Sequence, residues 1–108
     1  MSDPVYNERQ SLRLRATFTN ADGQPVTPDA VTYRVDNADT GEPVVAETPV
    51  AEPATVVDVV ITREQNALQD AAAPRERRVV TLDFSYDAGA QGAPIEYRYT
   101  LRNLRFVS

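Results

Sequence analysis

Apolar and polar residues alternate at every second position over several short segments of the chain. This period of two is typical of β-strands with one buried face and one solvated face. In the first segment, residues 10–19, Leu, Ala and Phe alternate with Arg and Thr. Four further segments follow, at residues 31–35, 55–61, 78–86 and 95–101. Turn sequences rich in Gly, Asn, Asp and Pro separate them, so the pattern predicts five clear strands.

The fourth of these segments, residues 78–86, places five side chains on one face. The face is made up of Arg78, Val80, Leu82, Phe84 and Tyr86. The next segment begins after residues 87–94, which contain two glycines and are predicted to form a loop.

Residues 42–54 interrupt the alternation with three prolines, Pro43, Pro49 and Pro53. Proline has no N–H group to donate to a neighbouring strand, and it is confined to sheet edges and bulges. We therefore expect only short or edge strands in this stretch.

A single helical signal lies between the strands. Thr62 is suited to cap a helix, and Gln65, three residues later, completes a capping box. The helix would continue for one or two turns until Pro74 ends it. We expect residues 62–73 to form a short helical crossover between two sheets.

The alternation loses its phase at Asn103, because Leu104 and Phe106 are out of step with Leu101. A β-bulge, or a strand that switches sheets at this point, would produce such a slip. If it is a bulge that turns the final strand, we expect the side chains of Leu104 and Phe106 to be buried, either within the domain or against a neighbouring subunit.

Short strands with turns every 8–12 residues are the pattern of an antiparallel β-sandwich. We predict an all-β, immunoglobulin-like sandwich of about seven strands with one short helical crossover. A chain of 108 residues is the size of one domain. Residues 1–9 are polar and contain Pro4, so we expect a flexible N-terminal arm followed by a single domain at 10–108.

Composition argues against several classes of function. The chain has a net charge of −5, neither cysteine nor histidine, and only arginine as a basic residue. It lacks thiolate chemistry and the commonest general base and metal ligand, and an acidic balance argues against nucleic-acid binding. It has no apolar run long enough to span a membrane and no signal-peptide pattern, so we expect synthesis in the cytoplasm and no membrane association.

No motif indicates catalysis, and we expect a protein that is not an enzyme and needs no cofactor or metal. The serines have no histidine to act as a base. The carboxylates fall in turns and at solvent-facing positions rather than in an apolar setting. Residues 36–42 lack the ligand spacing of an EF-hand, and we interpret them as a turn rather than a calcium loop.

Tyrosine and arginine, the residue types that dominate protein-binding hot spots, are common near the end of the chain. Tyr97 and Tyr99 fall on the inward face of the alternation, so packing explains them. The interface candidates are residues outside the alternating core: Tyr6, Arg98, Arg102, Arg105 and Phe106. For the arginines, the competing interpretation is ordinary cross-strand pairing with acidic neighbours.

Several segments resemble small proteins encoded among the structural genes of tailed bacteriophages. The resemblance covers roughly residues 8–106, and the segments that carry it are Leu12–Phe18, Asp22–Gly23, Pro25–Pro28, Val60–Leu68, Arg77–Tyr86 and Glu96–Leu104. It implies an immunoglobulin-like virion component that decorates or cements the capsid, or that acts as an adaptor in the connector or tail.

The expected partners are therefore other virion proteins, with multiple copies placed on a symmetric assembly and the virion as the final location. The arm at 1–9 and the proline-rich stretch at 43–54 are the natural docking elements. One alternative is an immunoglobulin-like adhesion module that binds a host receptor or glycan. Another is a regulatory or inhibitory protein that binds a partner.

Overall fold

The computed structural model describes residues 4–106 of the chain. Within this range the backbone forms seven β-strands followed by one short 3₁₀ turn, Leu104–Phe106. The strands are β1 Val5–Asn7, β2 Leu12–Thr17, β3 Ala30–Asn37, β4 Pro43–Pro49, β5 Val56–Ile61, β6 Arg75–Tyr86 and β7 Gln91–Arg102. The predicted all-β class is confirmed.

The strands form two sheets of unequal width. The larger sheet has five strands in the order β1-β7-β6-β3-β4, and the smaller one pairs β2 with β5. Every pairing is antiparallel except that of β1 with β7, which is parallel. The architecture is that of a β-sandwich in which a two-stranded sheet lies against a five-stranded one.

The core lies between the two sheets and consists of the inward positions of the alternating segments. The rings of Phe18 and Phe84 meet across it with centroids 4.7 Å apart. The buried apolar side chains are Leu12, Phe18, Val31, Val35, Val57, Val59, Ile61, Val80, Leu82, Phe84, Tyr99 and Leu101. Their burial confirms the inward faces that the period of two predicts.

The β6–β7 hairpin is longer than the sequence indicates, because β7 begins at Gln91, within the predicted loop. The turn is tight, and Asp87, Ala88 and Gly89 all have positive φ. Gly92 approaches the opposite strand so closely that a Cβ atom there would lie 2.2 Å from the carbonyl oxygen of Phe84. A side chain at this position would force the hairpin apart.

The proline-rich stretch forms β4, the edge strand at one end of the five-stranded sheet. The expectation of an edge strand at 42–54 is confirmed. Its pairing with β3 contains register shifts on both sides of Val35. Such irregularities bend an edge and are common where a sheet ends.

The predicted helical crossover at 62–73 is wrong, although its capping box forms. The N–H of Thr62 donates to Oε1 of Gln65 at 2.8 Å, and the N–H of Gln65 donates to Oγ1 of Thr62 at 3.2 Å. Only one turn follows, closed by the N–H of Asn66 on the carbonyl of Thr62. The remainder of the segment, up to β6, is irregular.

Side chains from other elements take the place of the missing helical hydrogen bonds. Arg78 donates to the carbonyls of Gln65 and Ala67 at 2.9 and 2.8 Å. Asn103 donates its side-chain amide to the carbonyls of Ala71 and Ala73 at 2.9 and 2.8 Å. The crossover can therefore remain irregular without leaving these buried carbonyls unpaired.

Four residues beneath this crossover form what we call the polar core cluster: Glu76, Arg78, Asn66 and Tyr99. Arg78 is fully buried and forms an ion pair with Glu76. The hydroxyl of Tyr99 donates to Oδ1 of Asn66 at 2.7 Å. Within residues 4–106 every buried side-chain nitrogen or oxygen has a hydrogen-bond partner. This network explains how an arginine occupies the apolar face of β6.

The prediction of a flexible arm at 1–9 is wrong for Val5–Asn7, which form β1 beside Thr100–Arg102 of β7. The ring of Tyr6 is half-buried, with its centroid 6.0 Å from that of Tyr99 in an edge-on arrangement. A three-residue strand is too short to show a period of two, so the sequence gives no signal for it. Residues 1–3 lie outside the described range.

At Asn103 the structure shows neither a bulge nor a change of sheet. β7 ends at Arg102, and Asn103 is buried with its side chain on the crossover. Leu104 is 47% exposed on the single chain, so it is not buried within the domain, and its burial against a neighbouring subunit stays a prediction. The side chain of Phe106 lies outside what the structure describes. The loss of phase marks the end of a strand.

Candidate protein-interaction surface

Four of the five predicted interface residues have side chains that the structure describes, and these four do not form one patch; the side chain of Phe106 lies outside the description. Arg98 and Arg102 project from the outer face of β7, where Arg98 pairs with Glu96 at 3.6 Å and Arg102 donates to Oδ1 of Asn7 at 2.8 Å. Arg105 is exposed on the 3₁₀ turn. Tyr6 instead points between the two sheets. The prediction that these residues bind a partner stays a prediction, but Tyr6 identifies a different surface.

The edge of β7 that faces away from β6 is only partly covered. β1 pairs with Thr100–Arg102 at one end, and no other described strand pairs with the nine residues Gln91–Tyr99 on this side. The amide of Thr100 and the carbonyl of Arg102 both bond to the β1 segment. Because backbone direction alternates along a strand, the even-numbered residues face this edge.

Four residues therefore direct their main-chain polar groups from the uncovered edge towards solvent. They are Gly92, Pro94, Glu96 and Arg98. Pro94 has no N–H group, and it occupies one of the positions where that loss costs no pairing with β6. The edge retains three N–H donors and four carbonyl acceptors in an extended row, which is the arrangement that an added strand requires.

β2, in the smaller sheet, also has a free edge, because it pairs with β5 alone. Between this edge and β7 lies an open groove of about 450 Å³. Its walls include the consecutive residues 13–17 of β2 and 95–97 of β7. A sheet face would expose alternate residues, so consecutive ones show that both walls are strand edges. We call this feature the β2–β7 groove.

The interior of the β2–β7 groove is apolar. Leu82 of β6 is buried beneath it, and the other apolar side chains that line it are half-buried. They are Tyr6, Leu14, Ala16, Ile95 and Tyr97. The hydroxyls of Tyr6 and Tyr97 are hydrogen-bonded to each other at 2.9 Å. The groove can therefore accept apolar side chains with little polar desolvation.

Three charged residues line the groove: Arg13, Arg15 and Glu96. Arg15 donates to Oδ1 of Asp58 at 2.9 Å, and this hydrogen bond holds the pKa of Asp58 below its ordinary value. Glu96 is paired with Arg98. Arg13 makes no hydrogen bond or ion pair within residues 4–106, but its charge also helps to lower the pKa of Asp58. Arg13 and Arg15 are both exposed on the solvent-facing side of β2.

Among residues 4–106, no group of three or more acidic side chains is placed to hold a metal ion. No helix in the described range is long and apolar enough to cross a membrane. What the groove offers is main-chain hydrogen bonding beside an apolar cavity, and these are means of binding a polypeptide.

Sequence reasoning singled out Tyr6 but missed the groove. The groove depends on the shortness of β1 and on the small sheet having only two strands, and neither property is visible in a local pattern. One signal in the sequence could have indicated the open edge of β7. Residues 95–101 alternate strictly and contain neither a proline nor an inward-facing charge, the features that block pairing at a strand edge. No family model, curated protein or solved structure matched the chain.

Proposed function

We propose that the protein is a non-enzymatic binding module that holds other proteins by strand addition to β7. In this mode an extended segment pairs with the main chain of the open edge, and its side chains enter the adjacent groove. The observation that carries the proposal is the nine-residue uncovered stretch Gln91–Tyr99 beside the apolar β2–β7 groove.

We further propose that the module has an immunoglobulin-like topology and works in a tailed-phage virion. The resemblance in the sequence supports this assignment, with a capsid, connector or tail protein as the partner. A small sandwich whose larger sheet has one open edge suits such an assembly, because each copy can bind one segment of a neighbouring subunit at β7. Repetition around a symmetric particle then gives a regular decoration or adaptor layer.

A glycan-binding adhesion module is less well supported. Sugar sites commonly present exposed aromatic faces, whereas Tyr6 and Tyr97 are half-buried with their hydroxyls bonded to each other. Their rings line the groove and leave little flat surface for a sugar to stack on. The aromatic groups thus favour the polypeptide as ligand.

The proposal is tested by removing one N–H donor from the open edge. Glu96→Pro places a second proline two residues from Pro94, at a position that also faces away from β6. Folding is expected to remain intact, because no β6–β7 hydrogen bond is lost. The matched control is Glu47→Pro on β4, the opposite edge of the sheet.

The readout is mass spectrometry of gradient-purified phage particles assembled with each variant. Wild-type protein and Glu47→Pro are expected at a fixed copy number per particle, and Glu96→Pro is expected to be depleted. Absence of the wild-type protein from particles would refute the virion assignment. Full incorporation of folded Glu96→Pro would refute strand addition at β7.

A further inference from the structure

Charged side chains are distributed unevenly along the length of the molecule. The protein is 50 Å long and 27 by 21 Å across. The strands run along this long axis, because a strand of 12 residues, such as β6 or β7, alone spans about 40 Å. The β6–β7 turn therefore lies at one end of the molecule, and the crossover that joins β5 to β6 lies at the other.

The end with the β6–β7 turn, which we call the hairpin end, comprises residues 19–30, 47–55 and 83–94 and is acidic. These three ranges contain no arginine. None of their carboxylates forms an ion pair with another residue of the described range. All of these carboxylates are exposed: Asp22, Asp29, Glu47, Glu52, Asp83 and Asp87. Negative charge at the hairpin end is therefore not compensated within the described chain.

The opposite end, which we call the crossover end, comprises residues 7–10, 37–42, 62–78 and 99–106 and has a different balance. Several of its arginines form no ion pair with a described residue: Arg9, Arg63, Arg75, Arg102 and Arg105. Fewer of its carboxylates are left without one: Glu8, Glu42, Glu64 and Asp70. The crossover end is therefore slightly positive, in a chain whose net charge is −5.

Two of these arginines face each other across the β6–β7 pairing. Arg75 lies opposite Arg102, and both project from the outer face of the five-stranded sheet. The amide of Asn103 bonds to the carbonyl of Pro74, so Arg75 and Arg102 form a non-hydrogen-bonded pair, in which the side chains are closest. Arg102 donates only to the neutral amide oxygen of Asn7, at 2.8 Å. Like charges directly opposite are destabilising, and an anion bound to both guanidinium groups would relieve the repulsion.

The surroundings of this pair add one more cation and one carboxylate. Arg105 is exposed on the 3₁₀ turn, three residues after Arg102. Oε1 of Glu8 accepts the N–H of Leu104 at 3.2 Å, and this carboxylate forms no ion pair with a described arginine. We call Arg75, Arg102 and Arg105 the arginine cluster. The cluster remains positive even with Glu8 beside it.

We propose that copies of the protein associate end to end, with the arginine cluster of one copy against the carboxylates of the hairpin end of the next. The chain itself supplies both complementary ends, so the partner is a second copy. The two ends are separated by far more than the Debye length, about 10 Å at 0.1 M salt, so each end acts locally despite the net charge of −5.

A contact between unlike ends repeats in one direction, and it closes into a ring or continues as a filament. Each exposed ion pair contributes little, so the contact is weak between free molecules in solution. On a particle that holds neighbouring copies at high effective concentration, the same contact is strong enough to order them. The inference does not depend on strand addition, because the open edge of β7 lies along the side of the molecule.

Sedimentation velocity of the whole protein measures this association. The wild type is expected to self-associate as its concentration rises in about 0.05 M salt, and the association constant should fall about tenfold in about 0.5 M salt. Screening of repulsion between acidic molecules would produce the opposite salt dependence. Stronger association at high salt, or none at protein concentrations up to about 1 mM, would overturn the proposal.

Charge-reversal variants locate the contact. Asp22→Arg with Asp83→Arg changes the hairpin end, and Arg75→Glu with Arg105→Glu changes the arginine cluster. Each double variant alone is expected to lose at least about tenfold in the association constant. An equimolar mixture of the two should associate again, because each species then presents ends that complement those of the other. Recovery in the mixture also shows that both variants are folded.

The matched control is Arg15→Glu with Arg34→Glu, which reverses the same number of charges midway along the molecule. It is expected to leave the association almost unchanged. Asp22→Arg with Asp83→Arg makes the protein almost neutral, so a general effect of net charge would strengthen its association. Stronger association of that variant, or failure of the mixture to associate, would overturn the proposal.

Glu96→Pro separates this inference from the proposed function. It is expected to leave end-to-end association unchanged, because residue 96 lies midway along β7. Self-association that Glu96→Pro abolishes and the charge reversals do not affect would show that copies pair through the β7 edge, and it would overturn the end-to-end contact. Incorporation of Glu96→Pro into particles decides strand addition independently of either result.

Discussion

The two ends of the five-stranded sheet present different edges to solvent. At the β4 edge, the carbonyl of Glu42 and the amide of Val50 both bond to the β3 side, so the adjacent Pro43 and Pro49 face outward. That edge has lost N–H donors at two positions and is further disturbed by register shifts. At the β7 edge, only Pro94 interrupts the row of donors.

The comparison shows that the β4 edge is blocked against pairing with another strand and that the β7 edge is not. Free edges promote unwanted association, and proteins commonly blunt them with proline, bulges or charge. β4 shows these features, whereas the stretch Gln91–Tyr99 of β7 is regular and borders an apolar groove. An edge left open in a sheet whose opposite edge is closed is consistent with the strand addition that we propose at β7.

The largest expected effect concerns the polar core cluster, which anchors the crossover that joins β5 to β6. Arg78→Met leaves the Glu76 carboxylate buried without its partner and removes two hydrogen bonds to the crossover. We expect a loss of about 3–5 kcal/mol in the free energy of unfolding, measured by chemical denaturation. Arg75→Met, on the outer face of the same strand, is the control and should change stability little.

The same variant sharpens the comparison of the two edges. The β7 edge borders a groove only while the β2–β5 sheet is held beside it, whereas β4 requires no such support. Arg78→Met is therefore expected to weaken binding at β7 as well as stability. Unchanged stability would contradict the role of this ion pair in holding the crossover.

Tyr99 lies on β7 at the boundary between the covered and uncovered parts of the edge. Burial raises its pKa to about 12, because the phenolate would lose its hydration. The neutral form therefore stabilises the fold below pH 10, and this contribution is lost as the pH rises from 10 towards 12. A shift of this size corresponds to about 2–3 kcal/mol.

Urea denaturation between about pH 8 and pH 12 measures this loss of stability, because tyrosine ionises within that range. Tyr99→Phe is the matched control, because it keeps the ring and cannot ionise. It loses the hydrogen bond to Asn66 at every pH, but its alkaline decline should be smaller than that of the wild type. Parallel declines in the two proteins would contradict the burial of a titrating hydroxyl.

The next prediction tests whether packing of Tyr6 holds β1 against β7 and so covers one end of the β7 edge. Tyr6→Ala removes the ring that packs against Tyr99 and the hydroxyl bond to Tyr97. We expect a loss of about 2 kcal/mol in unfolding free energy, because a half-buried aromatic side chain is truncated. Tyr6→Phe keeps the ring and should cost about 0.5–1 kcal/mol.

Amide exchange distinguishes detachment of β1 from a purely local loss of packing. If β1 detaches in Tyr6→Ala, the amide of Thr100 exchanges faster, since it bonds to the carbonyl of Pro4. Unchanged stability and exchange would instead support the flexible arm that the sequence predicted at 1–9.

The smallest effect on stability, and a direct test of the closed edge, comes from Pro49→Thr. It restores an N–H donor to the outer side of β4 with little change in packing, so stability should change by less than about 0.5 kcal/mol. Self-association is expected to increase, because the edge can then pair. Light scattering with size-exclusion chromatography measures it, and a strictly unchanged mass at high concentration would contradict the protective role of Pro49.

The fold was largely predictable because it depends on a local period of two. Alternation identified the inward faces of the long strands, including Arg78, and proline marked β4 as an edge. The irregular backbone of the crossover was not predictable, because the capping box at Thr62 and Gln65 indicates a helix. Distant side chains, Arg78 and Asn103, take carbonyls that a helix would have used.

The candidate site was less predictable than the fold. The arginines and tyrosines near the end of the sequence indicated β7, which forms one wall of the groove. The groove itself depends on the pairing of the strands, because it lies between two strand edges that no other described strand covers. Pairing between residues 5–7 and 100–102 joins opposite ends of the sequence and has no local signature. Of the predicted interface residues, Tyr6 lines the groove, and Arg98 forms an ion pair with Glu96, which also lines it.

Residue-resolved hydrogen exchange of β7, in the free protein and after incorporation into particles, tests the central claim most directly. In the free protein the amides of Glu96 and Arg98 should exchange rapidly, while those of Ile95 and Tyr97, which face β6, should be protected. Strand addition predicts that Glu96 and Arg98 become protected on assembly and that Ile95 and Tyr97 change little. Rapid exchange of Glu96 and Arg98 in the assembled state would contradict the account.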